Sequence, residues 1–160
     1  MRGLLVLLLI AIATPALAQD APRGQGYVFF APGAVSAGAT QGTYHVGAGG
    51  EGLIYKGLGA GGEIGYLAPW DTFRGGVGVV SANGSYHFGR AERDAKLLPF
   101  VTSGYTLMFR SGSANLFNFG GGVNYWFKER WGLRLEFRDH VWPNSPTAHY
   151  WGFRVGLAFR

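Results

Sequence analysis

From about residue 25 to the C-terminus, apolar and polar residues alternate with a period of two, in blocks of about ten residues separated by turn-forming residues. The last block, "YWGFRVGLAFR", shows the pattern most clearly. One face carries Trp151, Phe153, Val155, Leu157 and Phe159, and the other carries Tyr150, Gly152, Arg154, Gly156, Ala158 and Arg160. Because successive side chains of a β-strand point to opposite faces, the block predicts a strand with one apolar face.

Seven further blocks alternate in the same way, so the chain predicts eight strands. The first lies near 25–34, and two more flank Lys56-Gly57-Leu58 within the segment 47–66. The others are centred on "VVSANGSYHF", "FVTSGYTLMFR", "NLFNFGGGVNYWF" and "WGLRLEFRDHV". An even strand number brings both ends of an up-and-down sheet to one side, where the first and last strands can pair. We therefore predict an all-β fold, an eight-stranded antiparallel closed barrel.

The size of the apolar side chains decides which face points outward. The apolar faces carry most of the aromatic rings of the chain, whereas the polar faces are mostly Gly, Ser, Thr and Asn. The interior of an eight-stranded barrel is only just wide enough to be filled by side chains, so these rings must lie outside. An outward apolar belt requires lipid, which predicts a transmembrane barrel. The alternative is a soluble lipocalin-like ligand carrier, which would fold without detergent.

The N-terminal residues have the features of a cleavable signal peptide. Arg2 precedes an apolar run over 4–13, and Ala16-Leu17-Ala18 forms a small-residue cleavage site. The run is shorter than the roughly 20 residues that a membrane-spanning helix needs. We expect a signal peptide at 1–18, a barrel domain at 19–160, Sec-type export and a location in the bacterial outer membrane.

Composition narrows the chemistry further. The chain has no cysteine, so neither a disulfide nor a thiolate site is possible. Its 14 Lys and Arg residues and 9 Asp and Glu residues leave a small, scattered positive charge, which argues against a nucleic-acid partner.

The motif GAGGE occurs twice in the segment 47–66, which places Glu51 and Glu63 at matching points. With an odd-length link around Lys56-Gly57-Leu58, both carboxylates face the lumen, opposite or nearly opposite each other, where like charges repel. A buried carboxylate without a cation is costly or becomes protonated. The same alternation turns charged residues of the seventh and eighth strands inward. We therefore predict an ion-pair network that joins strands two and three to strands seven and eight across the lumen: Glu51, Glu63, Arg134, Glu136, Arg138 and Arg154.

The links between strands predict the topology. With both termini on the periplasmic side, links near 35–42, 69–75, 111–115 and 142–149 face outward. Those near 56–58, 89–97 and 128–130 face the periplasm, and the charged link at 89–97 is read as a solvated connection. Aromatic residues near the strand ends predict two interfacial girdles: Trp70, Trp142, Tyr150 and Trp151 at the outer end, and Tyr55, Phe88, Trp126, Phe127, Trp131 and Phe159 at the periplasmic end.

The signal peptide, the Gly- and aromatic-rich strands, "SANGSYHF" and the ending "FRVGLAFR" resemble small eight-stranded bacterial outer-membrane barrels of OmpA-like and OmpX-like architecture. The resemblance implies outer-membrane lipid and lipopolysaccharide as surroundings, and periplasmic chaperones and the barrel-assembly machinery as partners in biogenesis. It also implies a C-terminal assembly signal at Gly156, Leu157 and Phe159, although Arg160 follows the terminal aromatic residue.

Catalytic and metal sites have little support in the sequence. A lipid-modifying enzyme would need a nucleophile, a base and an orienting acid, for which Asp139, His140, Ser145 and His149 are the candidates. No Gly-x-Ser-x-Gly pattern accompanies them. The histidines, which also include His45 and His87, lack a local ligand spacing. We expect no enzyme activity, no metal and no cofactor.

Two functions remain. The first is a structural or surface protein whose lumen is closed by its Glu/Arg network, and the second is a narrow passive pore or transport protein through the glycine-lined lumen. The small interior of an eight-stranded barrel favours the first.

Overall fold

The computed structural model describes residues 24–89 and 96–160, so the predicted signal peptide at 1–18 and most of the link at 89–97 lie outside the described residues. Eight strands follow one another along the described chain: β1 Gly24–Ser36, β2 Thr40–Tyr55, β3 Leu58–Pro69, β4 Val77–His87, β5 Leu97–Phe109, β6 Ser113–Trp126, β7 Trp131–Trp142 and β8 Ala148–Phe159. A short 3-10 helix, Phe73–Gly75, lies between β3 and β4. Within 24–89 and 96–160, no helix is long and apolar enough to cross a membrane.

Every strand pairs antiparallel with its neighbours in the chain, and β1 pairs with β8, which closes the barrel. The predicted eight-stranded up-and-down barrel is confirmed. The first and last strands meet through pairs such as Gly26 with Phe159 and Val28 with Leu157. We call the end that holds the start of β1 and the end of β8 the lower end, and the opposite end the upper end.

The apolar faces of the strands point outward, as predicted. Large side chains on these faces stay exposed on all sides of the barrel, and they include Ile64, Val80, Tyr105, Phe117, Phe137 and Phe153. Residues one position away on the same strands, among them Glu63, Ser81, Thr106, Asn118, Glu136 and Arg154, are buried in the lumen. This inversion, with hydrophobic residues outside and polar residues inside, is the pattern of a barrel that has an apolar environment around it.

The lumen also contains aromatic side chains. Tyr27, Phe29, Phe100 and Trp126 are buried and point inward. The prediction that Trp126 belongs to the lower girdle was therefore wrong: only 4% of its surface is exposed, and it packs in a cluster with Tyr27 and Phe29. Trp126 lies one position from the outward-facing Tyr125, so strand alternation turns it inward.

The hairpin between β2 and β3 sets the positions of the two repeated glutamates. Lys56 and Gly57 both have positive φ, at 41° and 91°, and form a two-residue turn that joins Tyr55 to Leu58. The expected odd-length link is thus replaced by this even-length turn and one extra residue in β2, where the register shifts between Leu53 and Tyr55. The shift keeps both glutamates on the lumen face.

As a result, Glu51 lies opposite Gly61 and Glu63 lies opposite Gly49, so the carboxylates are two positions apart along the sheet. A step of two residues is about 6–7 Å along a strand. The two carboxylates therefore lie at different depths of the lumen, and each can have partners of its own.

Candidate functional site in the barrel lumen

Glu63, in β3, accepts hydrogen bonds from two arginines on the far side of the lumen. Arg154 of β8 donates through Nη1 to both carboxylate oxygens, at 2.9 and 3.0 Å. Arg138 of β7 donates through Nη2 at 3.3 Å, and the hydroxyl of Tyr27 donates at 2.7 Å. Glu63 is 6% exposed, and both arginines are equally well buried. Two cations and a neutral donor thus offset the cost of burying this carboxylate.

Glu136 lies at the centre of the charged cluster because it contacts all three inward arginines. It accepts hydrogen bonds from Arg134 Nε at 3.0 Å and from Arg138 Nε at 2.5 Å, and Arg154 Nη1 lies 3.6 Å away. Arg134, Glu136 and Arg138 occupy every second position of β7, so they share the lumen face of that strand. Glu136 thereby connects the groups around Glu51 and Glu63.

Glu51, in β2, has a different set of partners. Arg134 Nη1 is 3.3 Å from Oε1, while the Ser85 hydroxyl donates to Oε2 at 2.5 Å. His87 Nε2 lies 3.1 Å from Oε1, and the side-chain amide of Gln25 also donates to that oxygen. Glu51 therefore has one arginine where Glu63 has two.

Aromatic rings cover the faces of two of the arginines. The guanidinium of Arg134 lies between the rings of Tyr27 and Phe100, with its carbon 4.3 and 3.9 Å from the ring centres. Arg154 lies over Phe29 at 4.3 Å. Cation–π contacts of this kind are stronger when both groups are shielded from water, so the inward aromatic residues stabilise the cations of the network.

A chain of neutral polar side chains extends the network towards β4, β5 and β6. Arg138 Nη1 donates to Asn118 at 2.7 Å, and Asn118 donates to Thr106 at 2.9 Å. Thr106 is in turn 2.8 Å from the Ser81 hydroxyl and 3.0 Å from Nδ1 of His140. The middle of the lumen is thus bridged from β3 and β8 to the opposite strands.

The structure thus brings all six residues of the predicted network together. Their formal charges balance, since three carboxylates face three guanidinium groups. The cavity bordered by Arg138, His140 and Arg154 has a volume of only about 10 Å³, which leaves room for about one water molecule. Chemically, this arrangement fills the lumen and ties distant strands together.

The residues of the predicted assembly signal lie at the lower end of β8. Gly156 points into the lumen beside Phe29, while Leu157 and Phe159 point outward and are each a little under half exposed. Phe159 lies opposite both Gly26 and Trp131, at the seam where the barrel closes.

The candidate catalytic residues do not form a triad. Asp139 Oδ2 and His149 Nδ1 are 2.8 Å apart on the outward face near the upper end of β7 and β8. His140 instead points into the lumen, where its ring nitrogens contact Thr106 and Arg154. Ser145 is exposed in the link between the strands, and within the described residues it makes no hydrogen bond to a histidine. In the same part of the chain, no three His, Asp or Glu side chains lie close enough to hold a metal ion.

Sequence reasoning missed two parts of the lumen: the inward aromatic residues and the apolar upper end. The first strand shows why, because "QGYVFF" places large apolar residues on both faces, so alternation gives no contrast there. Tyr27 and Phe29 point into the lumen because they pair with the lumen-facing Gly49 and Gly47 of β2. The sequence of β1 alone does not give this register. At the upper end Trp142 and Tyr150 pack against a buried apolar cluster of the lumen, so their predicted place in the outer girdle was wrong.

Comparisons with known proteins agree with the fold. No protein family matches the chain, and no curated protein matches it by sequence. Among solved structures it resembles Neisserial surface protein A (NspA), with a TM-score of 0.70 and 10% identity, over 88% of this chain and 99% of that one. It also resembles Ail, the attachment invasion locus protein of Yersinia pestis (TM-score 0.57, 9% identity, 85% and 96% covered). A third is the N-terminal β-barrel domain of OprF from Pseudomonas aeruginosa (TM-score 0.54, 19% identity, 85% and 99% covered). At these identities the likeness shows the fold alone: the chain folds as small outer-membrane barrels do.

Proposed function

We propose that this protein is an integral outer-membrane β-barrel with a structural or surface role, and that its Glu/Arg network closes the lumen. The observation that carries the proposal is the combination of an exposed belt of large apolar side chains with a buried, charge-balanced interior. A belt of this size is unfavourable in water and favourable in lipid. The resemblance to solved outer-membrane barrels supports the same location.

The route to the membrane is part of the proposal. Residues 1–18 direct Sec-type export and are removed, and 19–160 form the barrel. The barrel-assembly machinery then recognises the end of β8 through Gly156, Leu157 and Phe159, which lie at the closing seam. Lipopolysaccharide surrounds the upper end, where Arg110 and Arg74 lie together because Arg110 Nη2 donates to the Arg74 carbonyl at 2.6 Å. An arginine side chain at this end suits the phosphates of such a lipid.

A closed lumen is favoured over a narrow pore because the middle of the barrel is occupied by side chains that bind one another across it. All three network arginines contact Glu63 or Glu136 at 3.3 Å or less. A permeating ion would have to break these contacts. The separated arginine and glutamate side chains would then be unpaired charges in a region of low dielectric, which is costly. Conductance in planar bilayers tests the point: we expect no steady channel current, and a stable unitary conductance would favour the pore.

Catalysis is not part of the proposal, and neither is a cofactor. Among the hydrogen bonds of the described residues, none joins a hydroxyl to the Asp139–His149 pair, and Ser145 is exposed in the link between β7 and β8.

The membrane location and the network are tested together by heat modifiability. The protein without residues 1–18 is refolded with lipid vesicles or in plain buffer, and run on a gel with and without boiling. We expect a compact unboiled band only with lipid, weakened by Glu63→Gln and Glu51→Gln. Glu129→Gln is the matched control, because Glu129 is exposed in the link between β6 and β7. A compact band in plain buffer would show a soluble barrel and contradict the proposal. Full-strength bands for both lumen variants would contradict the network's role.

A further inference from the structure

Above the ion-pair network, the lumen changes character and becomes apolar. Leu67, Val79, Met108 and Leu116 form a buried cluster at this level, and Val77, Trp142 and Tyr150 pack against it. This level of the lumen contains a cavity of about 250 Å³ at the upper end of the barrel, which we call the outer cup. Leu67, Val77, Met108, Leu116, Trp142 and Tyr150 line it. Apolar lining is unexpected here, since the lumen below is charged and polar.

None of the described residues that line the outer cup carries a formal charge, and the side chains able to form hydrogen bonds are Gln41, Thr43, Trp142 and Tyr150. A volume of 250 Å³ corresponds to about eight water molecules at roughly 30 Å³ each, and each buried water needs two to four polar partners. Four polar side chains cannot bond that many waters directly, so most of these waters would have only other waters as partners. Water therefore fills the outer cup poorly, and an apolar molecule that displaced it would gain free energy.

The floor of the outer cup is the network itself. Thr43, Leu67 and Tyr150 border both the outer cup and the cavity of about 10 Å³ that is lined by Arg138 and Arg154. These arginines are held by Glu63 and Glu136, so a molecule that enters from the upper end meets a closed layer of paired charges. The outer cup thus ends blindly, as a binding site does, and does not continue as a passage.

We propose that the outer cup binds a small, neutral aromatic molecule that enters from the upper end of the barrel. The size follows from the volume, which exceeds the roughly 150 Å³ of a cavity that holds benzene and falls just short of the usual 300–1,000 Å³ of drug-sized sites. A molecule of one ring, or of two fused rings, fits this volume. The aromatic walls, Trp142 and Tyr150, favour a ring, and the polar side chains at the edge suit one hydroxyl or amine group on it.

The test uses 1-naphthol as the probe and isothermal titration calorimetry on the barrel in lipid nanodiscs, with empty nanodiscs subtracted. Detergent is avoided because its alkyl chain would compete for an apolar cavity. We expect one saturable site per barrel. 1-Naphthalenesulfonate has the same rings with a negative charge, and we expect it to bind at least about tenfold more weakly, since no cation lines the site to offset its desolvation.

Ala114→Phe fills the outer cup, because Ala114 lines it and is half-buried. We expect this variant to lose at least about tenfold in affinity. Ala82→Phe is the matched control, since it adds the same ring to the outward face of β4. Val77→Phe is a second filling variant in case Ala114→Phe does not give a compact unboiled band.

The proposal is overturned by any of three results. These are a heat signal no larger than that of empty nanodiscs, equal losses for Ala114→Phe and Ala82→Phe, or tighter binding of the sulfonate than of the naphthol. Tighter binding of the sulfonate would show that the outer cup prefers anions.

Discussion

Glu51 and Glu63 end identical GAGGE motifs, but the barrel gives them different surroundings. Glu63 is held by Arg154, Arg138 and the Tyr27 hydroxyl, with its closest arginine contact at 2.9 Å. Glu51 has a single arginine at 3.3 Å, and its remaining partners are a serine, a glutamine and a histidine. The local sequence is the same, so the difference arises from depth in the lumen, which decides which strands across the barrel a side chain can reach.

The comparison teaches that the register converts a sequence repeat into two unequal sites. A displacement of two residues moves Glu63 beside Arg138 and Arg154, whereas Glu51 meets Arg134 lower down. We therefore expect the two glutamates to contribute unequally to stability, and the following variants test that inequality.

The largest effect is expected for Glu63→Gln. This change leaves Arg154 with Glu136 as its nearest carboxylate, 3.6 Å away, so a buried guanidinium loses its close partner. We expect a loss of about 3–5 kcal/mol in the free energy of unfolding. Glu51→Gln should cost about 1–3 kcal/mol, because Arg134 keeps Glu136 at 3.0 Å. Urea unfolding in lipid vesicles, followed by tryptophan fluorescence, measures both, and equal losses would refute the ranking.

A double-mutant cycle between Glu63→Gln and Arg154→Gln isolates the contact itself. Since the two side chains share two hydrogen bonds, we expect a coupling energy of about 0.5–3 kcal/mol. The reference cycle pairs Glu51→Gln with Arg154→Gln, whose side chains have no contact among the described hydrogen bonds and salt bridges. A coupling energy in the reference cycle as large as that between Glu63 and Arg154 would contradict a direct contact as its source.

Tyr27→Phe removes one neutral donor from Glu63 and keeps the ring that covers Arg134. A hydrogen bond to a charged group is worth about 1.5–3 kcal/mol, so we expect a loss in that range, below that of Glu63→Gln. The same urea titration gives the value. In a Glu63→Gln background the loss should shrink towards that of a neutral hydrogen bond, and an unchanged loss would show that Tyr27 acts through packing alone.

Deletion of Ile54 should have the smallest effect. Ile54 lies where the register shifts, and it is 76% exposed. Without it, Tyr55 can still pair with Leu58 and Leu53 with Gly59, so Glu51 remains opposite Gly61. We expect a change below about 1 kcal/mol in the unfolding free energy. Deletion of Ala82 is the comparison: β4 has no such shift, so the residues beyond the deletion change faces and the compact band should disappear. Similar results for both deletions would contradict this account of the bulge.

Sequence alone predicts much of this fold because, on most strands, apolar residues on the outer face alternate with small or polar residues on the lumen face. Where one face is apolar and the other is small or polar, as in β8, the strand and its direction follow directly. The charged lumen residues of β7 could be named for the same reason, since Arg134, Glu136 and Arg138 alternate with Leu135 and Phe137.

The remainder depends on information that alternation does not contain. Tyr27 and Phe29 lie on a strand with apolar residues on both faces. The outer cup arises where Leu67, Met108 and Leu116 meet from three different strands, and each has an apolar neighbour on the outward face, so alternation gives no contrast there. The unequal partners of the two glutamates depend on one extra residue in β2. Each of these features is set by inter-strand register, which a single sequence does not specify.

The pairing of β1 with β8 has a consequence for how the molecule is made. The residues that close the barrel, such as Gly26 and Phe159, are separated by nearly the whole described chain, and contacts of such long sequence separation form late and slowly. Glu63 and Arg154 are 91 positions apart, so their bond also waits for the last strand. Until β8 is added, the Glu63 carboxylate lacks its Arg154 partner. Loss of β8 alone therefore removes both the closing seam and the Glu63–Arg154 contact.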